Sequence, residues 1–124
     1  MDSMSKFVSR QSAKGVKFDL KATNGQVILS SEVYNSRAAA LKGIASIRLN
    51  AEAANVEDQT QENFQVMTNP KFELYQDKSG QFRFRLKARN GKIIGISEGY
   101  TGKAGCLNGI DSVKNNAPLA QTEE

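Results

Sequence analysis

The residues of this chain best suited to chemistry are cations. Arg83, Arg85, Lys87 and Arg89 alternate with Phe84, Leu86 and Ala88, and Lys92 follows the next Asn-Gly pair. A period of two predicts a strand with one apolar face and one basic face. Such a face can bind anions. With Tyr75 nearby for stacking, it could track the backbone of single-stranded nucleic acid. It could equally meet an acidic partner. Other features favour a structural role or a protein interface. Glu73 and Glu98 are placed to neutralise part of the stripe, and one aromatic is a poor stacking platform. In a tight Asn-Gly register Lys87 and Arg85 fall opposite Ile94 and Ile96, so long basic stems could cover apolar neighbours.

Catalytic groups are scarce. There is no histidine, the commonest general base and metal ligand. The one cysteine, Cys106, falls on an apolar helical face, which predicts a small buried residue. A helix start can lower a thiol pKa, but no second residue completes a nucleophile there. Paired carboxylates at catalytic spacing, a phosphate-binding Walker loop, zinc spacing and a calcium loop are not found. No catalytic residue, cofactor or metal site is assigned, and the expectation is a protein that is not an enzyme.

The elements that must position these residues come as a duplication. From Phe18/Phe84 to Ala51/Ala117 the chain aligns with itself at an offset of 66, without a gap, with 17 identities in 34 positions. The first copy lacks the stripe, with Asp19 and Thr23 in it. In each copy an apolar/polar alternation leads to Asn24-Gly25 or Asn90-Gly91, a strong hairpin signal because both residues accept φ > 0. Short β-branched return strands follow at Val27–Leu29 and Ile93–Ile96. Another strand precedes each: Phe7–Arg10, and Phe72–Gln76 with Asp77-Lys78-Ser79-Gly80 as a type I turn and G1 bulge. That register sets Glu73 against Arg85, Tyr75 against Arg83 and Leu74 against Phe84. Asn35 and Thr101 are the predicted N-caps of two amphipathic helices. Ala40, Leu41, Ile44, Ile47 and Cys106, Leu107, Ile110, Val113 mark their apolar faces. The first helix is expected to run on through Glu52–Ala54, and the second to stop before Pro118.

Residues kept in both copies most simply serve the shared fold. Ser31/Ser97 and Glu32/Glu98 are expected to organise the turn into the helix, with Tyr34/Tyr100 packed beneath it. Gly43/Gly109 would allow close packing against the other repeat. Gly102 and Gly105 open the second helix, where amides could hold an anion. Ser36 and Ala39 replace them in the first copy, so tolerance for small residues is the simpler reading.

With 124 residues the chain is one α+β domain. Its parts are repeat 1 (1–54), an acidic linker (55–70) with a short strand at Phe64–Met67, repeat 2 (71–117) and a tail (118–124). Each repeat alone would have a marginal core, so the two should share one. The net charge of +4 is uneven: residues 1–51 and 71–117 carry +5 each, 52–70 carry −4 and the tail −2. No apolar run is long enough to span a membrane and no secretory signal is evident. A single cysteine fits a reducing compartment. The expectation is a monomeric cytoplasmic protein with an unidentified protein partner, weak single-stranded nucleic-acid binding being the alternative.

The chain resembles the YegP-like family of small bacterial proteins. The resemblance rests on Phe18 through Ile28, Ser31-Glu32-Val33-Tyr34 and Leu41 through Ile47, and on Phe84 through Ile94, Ser97-Glu98-Gly99-Tyr100 and Leu107 through Val113. It implies tandem β-β-β-α(-β) repeats about a pseudo-two-fold axis, with C-terminal strands exchanged between repeats. Single-repeat relatives would pair as dimers to the same end. The family is functionally uncharacterised, so no ligand or catalytic residue carries over. The acidic connector and Gly102/Gly105 depart from the pattern.

Overall fold

The computed structural model describes residues 4–123. The elements run β1 (Lys6–Ser12), β2 (Gly15–Lys21), β3 (Val27–Ser30), α1 (Arg37–Ala51), β4 (Asn55–Asp58), β5 (Lys71–Gln76), β6 (Phe82–Lys87), β7 (Ile93–Ile96), α2 (Lys103–Asn116) and β8 (Gln121–Glu123). One eight-stranded sheet holds them in the order β4-β5-β6-β7-β3-β2-β1-β8. This order is symmetric about the β7–β3 junction, where Ser30 pairs with Ile96. Each repeat's last strand crosses to the other: β4 lies parallel to β5, and β8 parallel to β1. The exchange explains why the two copies share a core. Neither half of the sheet is complete without a strand from the other.

The inward residues of the alternating strands and the apolar helical stripes form one contiguous core. Phe7, Phe18, Phe72 and Phe84 are fully buried in it. Each repeat repeats one edge-to-face pair, Phe7–Phe18 at 5.9 Å and Phe72–Phe84 at 5.7 Å. At the pseudo-two-fold axis the copies differ. Gly95 stands where repeat 1 has Leu29, and a side chain there would collide with Leu29. Two large residues cannot occupy that point together, so one copy yields.

Several local expectations change. The Asn-Gly hairpins are not two-residue turns. Gly25 N donates to Ala22 O and Ala22 N to Gln26 O, both at 2.9 Å, with only Gly25 at positive φ (84°). Ala88–Lys92 repeats this geometry, as does Asp77–Gln81, the turn expected to have it. A type I turn closed by a G1 bulge needs φ > 0 only at glycine. The asparagine instead accepts from the amide two residues on, as Asn90 does from Lys92 at 3.0 Å. The pairing therefore shifts between Leu86 and Lys87. Arg85 faces Ile96 as expected, but Lys87 faces Ile93, and Ile94 turns into the core.

The helix caps lie one residue later than Asn35 and Thr101. Tyr34 and Tyr100 are held extended by backbone pairing with Val16 and Phe82. The helices then start at Ser36, whose Oγ accepts from Ala39 N at 3.1 Å, and at Gly102, which has no capping side chain. Helix α1 ends at Ala51 rather than Ala54, because the chain must turn there into β4. Residues 55–58 of the expected linker are that strand, Phe64–Met67 form none, and the tail supplies β8.

Candidate partner-binding face

The β5–β6 hairpin sets the cations in place. Its register pairs Glu73 with Arg85, Leu74 with Phe84 and Tyr75 with Arg83, as the sequence predicts. Three of the five cations are committed internally. Arg85 Nε donates to Glu73 Oε1 at 2.6 Å, and its guanidinium lies 4.6 Å from the centre of the Tyr75 ring. Lys87 Nζ is 3.2 Å from Glu73 Oε2. Arg83 Nε donates to Asp77 Oδ2 at 2.7 Å. Hydrogen bonds from Ser79, then from Arg83, hold the Asp77 carboxyl well below the usual range. The neutralising carboxylates are thus Glu73 and Asp77. Glu98, expected to share that role, is exposed and makes no ion pair among the described residues. Arg89 and Lys92 stay exposed at the hairpin tip, also without ion pairs among the described residues.

Sequence reasoning missed the centre of this network. Lys71 Nζ donates to Glu57 Oε1 at 2.7 Å and lies 3.5 Å from Glu73 Oε2, with all three residues buried. Glu57 also accepts from Gln59 Nε2 and from the Met67 amide, each at 2.7 Å. Segment 59–69 is thereby fastened to the β4–β5 pair. Burial alone would raise the Glu57 carboxyl; the bonds from Lys71, Gln59 and Met67 outweigh it and hold the pKa at about 2. Glu73 is shifted the same way, burial being outweighed by Arg85 and Lys87. An acidic stretch read as linker gave no hint that Glu57 points inward. The only signal would have been Val56–Asp58 read as an edge strand beside Lys71.

The groups kept in both copies prove structural in their contacts. Ser31 Oγ accepts from Phe18 N at 3.0 Å and donates to Glu32 O at 2.7 Å. Ser97 does the same with Phe84 and Glu98 at 2.9 and 2.8 Å. Tyr34 stacks on Phe18 and Tyr100 on Phe84, centroids 5.9 and 6.4 Å apart. A side chain at Gly43 or Gly109 would strike the hydroxyl of Tyr34 or Tyr100. The helical glycine therefore admits its own repeat's tyrosine, not the other repeat. Cys106 is fully buried, and burial, then the charge of Asp58, pushes its thiol up to about 11.

A second surface went unnoticed. Leu41 and Leu107, expected on the packed helix faces, are exposed instead, and on the outer side of α1 Leu41 joins Ala45 and Leu49 at helical spacing, Leu49 at 78%. At the same end of the helix, Arg48 Nη2 donates to Ala120 O at 2.6 Å, beside Leu119, which is 76% exposed. In α2 the corresponding positions are Leu107, Asp111 and Asn115. Comparing the outward positions of the two copies would have exposed this difference.

Comparison with known proteins places this arrangement among relatives. The model of the family described as "Domain of unknown function (DUF1508)" matches residues 11–58 and 77–124, which in the two repeats run from the β1–β2 and β5–β6 turns to the exchanged strands. The UPF0339 protein MS1092 of Mannheimia succiniciproducens is 45% identical over 100 residues, 81% of this chain and 75% of that protein. A UPF0339 protein of Treponema denticola is 61% identical over 54 residues, 44% of this chain but 93% of its own length, so it is about one repeat long. The solution structure of yegP from E. coli, titled a protein of unknown function, superposes with a TM-score of 0.77 at 33% identity. That match covers 99% of this chain and 94% of the other.

Proposed function

The chain belongs to the DUF1508 family, and we propose that it is a non-catalytic accessory module that binds another protein. The exposed leucine stripe on α1 carries this reading. Large apolar side chains grouped on a surface suit a protein interface. The stripe's most exposed member, Leu49, is Asn115 in the other copy, so the shared fold does not require it. The internal pairing of Arg83, Arg85 and Lys87 supports the same choice over nucleic acid, because it takes up the charge a phosphate backbone would need. Affinity capture from native lysate should retain a partner on the parent chain and on Asn115→Lys. Leu49→Lys combined with Leu119→Lys should lose it. Equal capture by all three would remove α1 as the interface.

A second reading, weak binding of single-stranded nucleic acid, rests on the exposed Arg89 and Lys92. It requires salt-sensitive binding of a short oligonucleotide that Arg89→Gln with Lys92→Gln abolishes. On the protein-binding reading the parent shows no such binding.

A further inference from the structure

The face of α1 that carries the exposed leucines also carries charge, in a pattern set by helix geometry. Lys42 and Arg48 stand three residues to either side of Ala45. Each residue turns the helix by about 100°, so these two fall about 60° to opposite sides of Ala45. Leu41 and Leu49, four residues away, fall about 40° to either side. The apolar stripe thus has one cation on each flank, over a length of about 12 Å. The carboxylate on this face, Glu52, stands beyond Leu49 at the C-cap, so it ends the stripe rather than flanking it.

Neither flanking cation has a carboxylate partner among the described residues. Lys42 is exposed and makes no ion pair. Arg48 is held by neutral groups. Its guanidinium lies 5.0 Å from the centre of the Phe7 ring, and Nη2 donates to Ala120 O at 2.6 Å and to Thr122 Oγ1 at 2.9 Å. The nearby Glu123 is taken up by Lys6. The duplicated helix lacks this arrangement. In α2 the counterparts of Lys42, Ala45 and Leu49 are Asn108, Asp111 and Asn115, which put a carboxylate in the middle of the face. Lys114, the counterpart of Arg48, bonds Ala54 O at 2.6 Å. The fold therefore needs a cation near the end of each helix, but it does not need the leucine stripe between two of them.

We propose that this face binds an amphipathic helix of a partner protein, one whose apolar stripe is flanked by carboxylates. The occupant is helical because the face is a convex row of side chains with no backbone edge to extend. A second helix packs its own row of side chains against such a row. Its flanks are acidic because Lys42 and Arg48 offer charge on both sides of the leucines. A second copy of this chain fits worse: it carries a net charge of +4 and brings the same two cations to the contact. The proposal rests on the protein-binding reading and names the chemistry of the partner.

The test is a titration of the full chain, amide-labelled for NMR, with two designed amphipathic helical peptides. Both carry one leucine stripe, flanked by glutamates in the first and by lysines in the second. The acidic peptide should bind roughly tenfold more tightly, and added salt should shrink that preference. Its shifts should run along α1 from Leu41 to Leu49 and reach Leu119, sparing Leu107 to Asn115 of α2. Lys42→Glu should weaken the acidic peptide about fivefold or more, since one exposed contact turns from attraction to repulsion. Leu49→Asn, which copies the residue of α2, should abolish binding, with a native spectrum as the control. The proposal is overturned by equal binding of the two peptides, by binding that Leu49→Asn leaves unchanged, or by shifts centred on Arg89 and Lys92, which would mean attraction by charge alone. Sedimentation showing that the chain pairs with itself through Leu49 would overturn it in favour of a second copy. If neither peptide binds while leucine-dependent capture succeeds, the acidic helix is discarded and the protein-binding reading stands. Failure of both experiments would discard the two together.

Discussion

The outer faces of the two hairpins are built on one backbone and use charge in opposite ways. In the β5–β6 hairpin Lys71, Glu73, Arg85, Lys87 and the incoming Glu57 form a network whose centre is buried beneath segment 59–69. In the β1–β2 hairpin the counterparts Lys6, Lys21 and Glu123 stay half exposed, and Val8 replaces the central carboxylate. The difference teaches what a duplication permits. Core positions such as Phe18/Phe84, Tyr34/Tyr100 and Gly43/Gly109 are held in both copies by one packing problem. Outward positions have no such constraint. One face centres its buried charge on Lys71, Glu57 and Glu73, and the other confines it to Asp19, held by Arg10 and Ser30.

The sharpest way to break this comparison is to remove Glu73. Glu73→Ala leaves Lys71, Arg85 and Lys87 crowded without their shared carboxylate. Removing one partner of a buried ionic group costs about 3–5 kcal/mol. The counterpart change, Val8→Ala, trims a half-buried side chain and should cost about 1 kcal/mol. Urea unfolding of both variants measures the difference. Equal losses would mean that water serves the cations of repeat 2 as well as Glu73 does, and the two faces would be energetically alike.

Acid should separate the halves next. The Glu57 carboxyl, at about 2 when folded against an ordinary 4.5, contributes stability that is fully present above pH 4.5. That contribution is lost as pH falls from 4.5 through 2, up to about 3 kcal/mol. Glu73, also depressed, adds a loss of the same sign. Glu57→Gln should therefore lower stability at neutral pH and flatten its decline in acid. The amides of Gln59 to Met67 should lose exchange protection first. An unchanged acid slope in Glu57→Gln would place the acid-sensitive group elsewhere, with Asp19 beside Arg10 the first candidate.

The core was more legible in the sequence than the surface. Period-two and helical patterns mark residues that must all face one way, so Phe84, Leu86, Ile110 and Val113 announce their burial. The β5–β6 register was legible because Gly80 fixes the turn that sets it. The Asn-Gly turns were read one residue too tight because asparagine tolerates two geometries, and only the position of the positive φ distinguishes them. The resemblance implied the exchanged strands, but Glu57 and the strand positions at 55–58 and 121–123 were hidden from the residues themselves, for a different reason. A short edge strand such as Asn55–Asp58 gains its stability from its neighbour across the sheet, and nothing local in an acidic tetrapeptide names that neighbour. Arg83, Arg85 and Lys87 of the cationic stripe lie on a strand face as read, with Arg89 in the turn beyond it, but their partners come from other strands and turns, so the neutralisation was only partly visible.

A smaller effect concerns Cys106, the one position on the helix faces where a buried thiol replaces alanine, Ala40 in the other copy. Cys106→Ala makes the two sites alike and should cost about 1 kcal/mol, the loss of one small buried group. With its thiol pushed up to about 11, the native protein should alkylate slowly and at the rate of unfolding. Ala40→Cys should be protected in the same way. Rapid labelling of either would show that one helix opens where the other does not.

The smallest expected effect gives the finest test of the contrast. Lys6 and Lys71 occupy the same place in the duplicated hairpin, and each pairs with a glutamate from an exchanged strand. The Lys6–Glu123 pair is 3.5 Å long and about half exposed, so water already solvates both charges. Lys6→Gln should cost no more than about 1 kcal/mol, and added salt should erase even that. The Lys71–Glu57 pair is 2.7 Å long with both side chains shielded, so Lys71→Gln strands a buried carboxylate. Its cost should be several-fold larger and nearly independent of salt. Chemical denaturation of the two variants at low and high salt puts both numbers on one scale. If Lys6→Gln proves as costly and as salt-independent as Lys71→Gln, the Lys6 pair is part of a structural network too, and the two lysine–glutamate pairs are energetically alike.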